Sequence, residues 1–282
     1  MVIAYTKQEV RNWSAQHKLA KIGLVPTMGA LHHGHLALVT EAQKQADLVV
    51  VSIFVNPLQF NNAADFDKYP QTLAADIQLL ENAGVHLLFA PNAAEMYAST
   101  SNTTLDFGLL NTVMEGPNRP GHFSGVGLVV GKLFNIVQPH SAFFGLKDLQ
   151  QVRVIEQLVT DFDIPVKVVA CPTVREVNGL ASSSRNARLS ETQRNEARII
   201  FETLSDIAQD IQEGNALLDA LALGKSMLQN AKGLITNIEY LEVVNAHTLQ
   251  PVSKAEKNTE LAICIACFID QVRLIDNLIF TV

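Results

Sequence analysis

Ile22-Gly-Leu-Val-Pro26-Thr-Met28-Gly29-Ala30-Leu31-His32-His33-Gly34-His35 is the stretch on which the fold turns. Ile22 to Pro26 is a short apolar run of strand type. A glycine-bearing turn follows, and a helix pattern runs from about Gly34 to Ala46. Strand, tight turn and helix in that order form half of a crossover that must return to the same sheet.

The pattern repeats outward from there. Leu48 to Val55 is nearly continuous in apolar, β-branched residues, the mark of a strand buried on both faces. Pro70 opens a helix that runs to about Ala83 and stops at Gly84. Val85–Phe89 reads as the third strand, and Asp106-Phe107 as a short segment of uncertain type. A helix from about Ser124 to Val137 precedes the strand Ser141–Phe144. A further helix, about Asp148 to Asp161, leads into the strand Val166–Cys171. The alternation predicts a doubly wound, parallel, Rossmann-like α/β sheet over residues 1–172. After Cys171 the order changes. Two amphipathic helix patterns, Glu191 to about Gly214 and Ala216 to about Ala231, precede three strand-like runs, Ile238–Val244, Leu261–Phe268 and Val272–Ile279. Residues 173–282 are therefore expected to form a smaller α+β domain that closes over the site. Ligands of open α/β sheets bind beyond the carboxyl ends of the strands, and a domain seam beside that edge makes a cleft.

Composition narrows the classes. The chain has 282 residues, 48% hydrophobic and 17% charged, with 21 Lys+Arg against 28 Asp+Glu. That is ample for a packed core and argues against intrinsic disorder. No apolar run approaches the ~18 residues that span a bilayer. The start, MVIAYTKQEVRNW, has no basic region before an apolar stretch, so no signal peptide is expected. A net charge of -7 with no basic block excludes nucleic acid as an expected partner. Three cysteines make no disulfide framework and point to a reducing compartment, the cytoplasm. Cys264 and Cys267 are three apart within a strand-like run, so they should face opposite ways as buried thiols.

Five segments carry chemistry. In His32-His33-Gly34-His35, Gly34 lets backbone approach a ligand, and the helix start behind it offers free N–H groups to an anion. Two imidazoles on that turn can donate to phosphate oxygens. A His-rich surface turn or a metal site are the alternatives, though the HExxH spacing is absent. In Ser52-Ile-Phe-Val-Asn56-Pro57-Leu58-Gln59-Phe60, Asn56 and Gln59 are amides at a strand end, suited to orienting a small acid without neutralising it; Asn-Pro is also an ordinary turn. Arg119-Pro-Gly-His122-Phe-Ser-Gly125 could line an anion site or be a plain exposed loop. In Phe144-Gly145-Leu146-Lys147-Asp148-Leu149-Gln150-Gln151, Gly145 permits close approach and Lys147 reaches phosphate as a point charge. Asp148 can cap the helix or accept ribose hydroxyls, and Gln151 lies one turn in. Gly179-Leu-Ala-Ser182-Ser183-Ser184-Arg185-Asn186 offers hydroxyls and a guanidinium for a second phosphate clamp. Neither a G-x-G-x-x-G fingerprint nor a G-x-x-x-x-G-K-[ST] loop occupies the expected place, which sets aside dehydrogenases and P-loop NTPases.

H-x-G-H resembles the HIGH signature of nucleotidyl-transferring α/β enzymes. The five segments together, in order, closely resemble the pantoate–β-alanine ligase (pantothenate synthetase) family: PTMGALHxGH, SIFVNPxQF, RPGHFxGV, FGxKDxQQ and GLAxSSRN. The resemblance implies condensation of (R)-pantoate with β-alanine using ATP and Mg2+, through a pantoyl adenylate, in a cytoplasmic homodimer. It implies that Met28 to His35 line the ATP site with Gly145 to Asp148, Val174 and Ser182 to Arg185. His35 is then the residue usually assigned as proton donor, acting with His32, Lys147 and Arg185. Gln59, Gln151 and Asn56 are then expected at pantoate and β-alanine. No metal ligands are assigned. Asp76 is read as part of a solvated helix face, with magnesium positioning as a lesser role. Ser182, Leu146, Leu149 and Gln71 depart from the family's commoner Met, Glu, Tyr and Arg. A small-molecule adenylyltransferase and an inactive nucleotide-binding regulator are the rival readings.

Overall fold

Six strands of the chain lie side by side in one parallel sheet, in a computed structural model that describes residues 1–61, 66, 67, 69–97, 99, 101–231 and 233–282. The strands are β1 (Val2–Ala4), β2 (Ile22–Thr27), β3 (Leu48–Ile53), β4 (Leu87–Phe89), β5 (Ser141–Gly145) and β6 (Lys167–Cys171). Their order across the sheet is β1-β4-β3-β2-β5-β6. Helices α1 (Lys7–Gln16), α2 (His33–Gln45), α3 (Leu73–Asn82), α4 (His122–Val137) and α5 (Leu149–Asp161) connect them.

The apolar runs alternate as a doubly covered sheet requires. Leu24, Val50, Leu87, Phe89, Ala142 and Phe144 pack with residues of α1, α4 and α5. Their neighbours Val25, Val49, Val51, Leu88 and Phe143 face the other way, onto α2 and α3. β1 and α1 are among the elements that escape the sequence reading. β1 is only three residues long, and α1 is announced by a Thr6–Glu9 capping box in which each side chain accepts the other's backbone N–H. Pro70 does not open its helix. α3 begins at Leu73, after Thr72 at the cap position.

The remainder contains the short helix Glu191–Glu196, α6 (Arg198–Gln212) and α7 (Leu217–Gln229). The antiparallel strands β7 (Ile235–Asn245), β8 (Glu260–Ile269) and β9 (Val272–Thr281) form a separate sheet, in that order. The single helix expected from Glu191 to Gly214 is interrupted at Ala197. β8 is buried on both faces. Leu261, Ile263, Ile265 and Cys267 pack on α6 and α7, whereas Ala262 and Cys264 meet Phe123, Leu149 and Val154 of the first part. The two cysteines thus face opposite ways, and burial pushes the Cys267 thiol up to about 12.

One contact fixes α4 against the loop after β3. The short turn Pro57–Gln59 approaches Gly125 so closely that a Cβ there would stand 2.3 Å from the Leu58 carbonyl oxygen. Gly125→Ala should therefore cost about 1–3 kcal/mol in denaturant unfolding, the range for overpacking a rigid contact. An unchanged transition midpoint would show that helix and turn are not held together there.

Candidate active site

A cleft of about 240 Å3 opens between the carboxyl edge of the parallel sheet and the β7–β9 sheet. Its position follows from the strand order. β2 runs between β3 and β5, the successive connections leave it in opposite directions, and such a switch point opens a crevice. The β2–β5 ladder contains only Gly23↔Ser141 and Leu24↔Ala142, although β2 continues to Thr27 and β5 to Gly145.

Most of the residues singled out from the sequence line this one cleft. They are Met28, His32, Gly34 and His35 after β2; Asn56 and Gln59 after β3; Gly145, Lys147, Asp148 and Gln151 after β5; and Val174 and Ser182 to Arg185 beyond β6. Arg119 and His122 line it as well, so their loop is no plain exposed connection. Gly29, Ala30, Leu31, His33 and Leu146 lie outside the lining.

Asp76 explains the first three of these. It is 2% exposed, so it does not belong to a solvated face as expected. Its oxygens accept the N–H groups of Ala30 at 3.0 Å and Leu31 at 2.9 Å, and the Thr72 hydroxyl at 3.1 Å. Gly29 and Ala30 both have positive φ, +83° and 49°, and turn those N–H groups inward. The carboxylate thereby holds the turn that delivers His32 to the cleft.

His32 caps α2. Its Nδ1 accepts the Gly34 N–H at 3.1 Å, while His35 Nδ1 accepts the His32 N–H at 3.4 Å. The two rings stack with centroids 4.0 Å apart. Because each Nδ1 is an acceptor, the proton of each neutral ring belongs on Nε2. Burial lowers His32 to about 4, aided by the charge of Lys147. Burial likewise lowers His35 to about 3, with His32 and Lys147 adding to it. At neutral pH the cleft presents two uncharged imidazole donors.

The amides after β3 divide the work. Asn56 is fully engaged: its Oδ1 accepts the Tyr97 hydroxyl at 2.9 Å and the Leu58 N–H at 3.3 Å, and its Nδ2 donates to Gly125 at 3.1 Å and Gln59 Oε1 at 3.2 Å. It therefore aims Gln59 rather than offering hydrogen bonds of its own. Gln59 Nε2 faces Met28 Sδ at 2.7 Å, and His122 Nδ1 donates to the Gln59 carbonyl at 2.8 Å. The Gln151 amide forms no hydrogen bond among the described residues and borders the cleft. Val174 has its carbonyl taken by the Ser182 N–H at 2.9 Å. Asp148 stands at the start of α5 without capping it through its side chain, and pairs with Lys147 at 3.5 Å.

Several lining residues carry no local signal in the sequence. Glu115 accepts two hydrogen bonds from Arg273, at 2.9 and 2.8 Å, one from Tyr240 at 2.7 Å and one from Arg119 at 3.4 Å. Burial opposes ionisation at Glu115, but Arg273 and its companions outweigh it and hold the carboxyl at about 2. Asp276 and Asn277 of β9 also line the cleft. Apart from Arg119, four residues from Glu115, the side-chain partners of these groups lie more than a hundred residues away in the chain, so only the Arg-Pro-Gly-His motif offers a hint.

The family model described as Pantoate-beta-alanine ligase matches residues 2–279. The chain belongs to the pantoate–β-alanine ligase family. Pantothenate synthetase of Cytophaga hutchinsonii is 45% identical over 282 residues, 99% of each chain. That of Pseudomonas fluorescens is 48% identical over 260 residues, 92% of this chain and 90% of its own. The crystal structure of the Thermus thermophilus pantothenate synthetase matches at a TM-score of 0.91 with 42% identity, covering 99% of both chains. The Francisella tularensis pantoate–β-alanine ligase, crystallised in complex with Beta-gamma ATP and β-alanine, matches at 0.81 with 37% identity over 99% of this chain and 97% of its own.

The imidazoles of this ligase give a direct test. In the ligand-free protein, NMR should find His32 and His35 neutral, protonated on Nε2, down to pH 5. A titration midpoint near the ordinary 6.5 for either ring would contradict their burial. The sign for stability follows: between about 4 and 6.5 the unfolded chain binds more protons, so stability falls as pH drops below 6.5.

Proposed function

We propose that this protein joins (R)-pantoate to β-alanine at the expense of ATP, releasing AMP and diphosphate, through a pantoyl adenylate formed in the cleft at the switch point. Support comes from one observation above all. Five separate segments, from the ends of β2, β3, β5 and β6 and from the start of α4, meet around a single cavity. They supply neutral donors, amides and cations in the proportions such a reaction needs.

A free carboxylate acylates poorly. In the first step a pantoate oxygen attacks the α-phosphorus of ATP in line, and the bond to the β,γ-diphosphate breaks. Negative charge grows on the phosphate oxygens, where preorganised donors lower the barrier most. His32 and His35 donate from Nε2 without bringing a charge that would tie down the ground state. Lys147 and Arg185, both in the lining of the cleft, carry the positive charge. Ser182 to Ser184 add hydroxyls, and Gly145 and Val174 offer backbone to the nucleotide. Gln59 and Gln151 hold pantoate so that its carboxylate stays unneutralised and aimed, an orientation effect. In the second step the β-alanine amine attacks the acyl carbonyl and AMP leaves. His35 serves best as a neutral hydrogen-bond donor in the first step, rather than as an imidazolium acid.

Mg2+ enters this reading with the nucleotide, to neutralise phosphate charge. Among the described residues no group of three or more His, Cys, Asp or Glu gathers to hold an ion. The oxygens of Asp76 are taken by backbone and Thr72, which leaves Asp148 as the more open carboxylate near Lys147. Mg2+ is commonly held by substrate phosphates with one or two carboxylates. No described helix is long and apolar enough to cross a membrane. Action in the cytoplasm as a homodimer, and the division into units at 172/173 with the second closing over ATP, complete the proposal.

The deciding assay supplies ATP, pantoate and Mg2+ with and without β-alanine, and follows AMP and diphosphate separately. Diphosphate release without the amine, and AMP release only with it, are expected. Amine-independent AMP transfer to an acceptor would indicate an adenylyltransferase, and no turnover a regulator. His35→Ala should lower adenylate formation about 100-fold or more, the loss typical of a transition-state donor. Wild-type diphosphate release in that variant would remove His35 from the mechanism. Gln59→Ala should raise the KM for pantoate about 10-fold or more, as loss of an orienting contact does, with the KM for ATP nearly unchanged. Equal losses toward both substrates would displace Gln59 from the pantoate end.

A further inference from the structure

Asp276 and Asn277 are consecutive on β9, both nearly buried, and strand alternation sends them in opposite directions. Asn277 Nδ2 donates to two successive carbonyls, Leu146 at 2.8 Å and Lys147 at 2.9 Å. Both amide hydrogens are thereby spent on one backbone turn. That turn, Leu146–Asp148, has no side-chain cap of its own, and it carries Lys147 into the cleft. Leu146 completes the anchor by packing its side chain into the apolar cluster between the two sheets.

Asp276 works on the other wall. Its carboxylate takes a bidentate pair from Arg175, at 2.6 and 3.0 Å. The same guanidinium donates to the carbonyls of Gly179 and Asn277, at 3.1 and 3.0 Å, and lies 3.7 Å over the Phe201 ring. Arg175 also bridges Ala181 through its backbone, and Ala181 leads directly into Ser182 to Arg185. Thus the turn carrying Lys147 and the root of the serine loop are both fastened to two adjacent residues of one strand. A strand is stiff along its length, so the two fastenings cannot drift independently.

We propose that Asp276 and Asn277 act as a positioning pair, a crossbar that sets Lys147 and the serine loop at the spacing of one phosphate chain. Neither residue needs to touch ATP for this. The inference rests on the reading that Lys147 and Ser182 to Arg185 face the phosphates. It predicts that the loss of the crossbar is felt at ATP and not at pantoate.

The test uses the full-length protein with Asn277→Leu, which keeps the volume and removes both donors, and Asn277→Asp, which keeps the shape and sets acceptors against the two carbonyls. Pantoate-dependent ATP–diphosphate exchange, thermal unfolding and calorimetric binding of MgATP are the readouts. Both variants should lose about 10- to 100-fold in kcat/KM for ATP, as misplacement of a binding group does, with the KM for pantoate within about twofold of wild type. In a Lys147→Ala background, Asn277→Leu should weaken MgATP binding no further, because the group it positions is gone. A merely structural role would give additive losses and equal effects on both substrates. Either of those results, or an unchanged kcat/KM for ATP in a variant that melts like wild type, would overturn the proposal. Should the leucine variant fail to fold, Asn277→Ser keeps one donor and must show an intermediate loss confined to ATP. Absence of exchange in the wild-type protein would instead count against the ligase reading itself.

Discussion

Everything at the site depends on where the ladder between β2 and β5 stops. The two strands share two registered pairs and then continue without pairing, so their carboxyl ends flank a gap. Each end launches a turn into that gap, one carrying His32 and His35, the other carrying Lys147. A ligand in the gap meets both turns at once, with helix N-termini behind them. Had the ladder run to Thr27 and Gly145, hydrogen bonds between strands would fill the space that a nucleotide needs.

On the proposed reading, the gap must attract an anion. The chain is acidic overall, so attraction for a triphosphate must be built locally. Most carboxylates around the cleft are spent on the protein: Glu115 on Arg273, Arg119 and Tyr240, Asp276 on Arg175, and Asp76, behind the lining, on two backbone N–H groups, while the more open Asp148 pairs with Lys147. A buried carboxylate left without partners would repel phosphate and cost several kcal/mol. Paired, these groups instead become struts. The imidazoles, depressed by burial, add donors without adding charge. That suits the proposed binding of ATP and release of diphosphate.

The layout of the parallel sheet was legible because it rests on local signals. The continuous β-branched run at Leu48–Ile53 and the strand–turn–helix at His32 are written in neighbouring residues. Residues of all five motifs line one cleft, because the segments lie in the loops that follow strands or at the start of a helix. What escaped depends on partners far along the chain. Asp76 looks like a polar residue on an amphipathic helix, and nothing near it reveals that residues 30 and 31 turn their N–H groups toward it. Asn56 reads as a ligand because its type suits one, yet all four of its hydrogen-bonding positions are filled by Tyr97, Leu58, Gly125 and Gln59. Glu115, Asp276 and Asn277 have partners more than a hundred positions distant and no pattern of their own. The capping box at Thr6 is a different case, since that signal is local and simply marks α1.

The small sheet does more than cover the cleft. Its β8 is buried on both faces, against α6 and α7 on one side and against α4 and α5 on the other, so it is wedged between layers rather than hung beside them. Two polar seams reinforce the wedge. One joins Glu115 to Arg273 and Tyr240, and the other joins Asn277 to the turn of Lys147. Both seams end on residues beside the cleft: Arg119 shares the Glu115 carboxylate, and Lys147 sits on the turn that Asn277 holds. Apolar contact alone would tolerate sliding of one layer over the other, because it is not directional. Bidentate pairs and paired carbonyl acceptors do not tolerate it. The fold therefore uses its second sheet as a template for the first, fixing the spacing of groups that the parallel strands present but cannot by themselves hold apart.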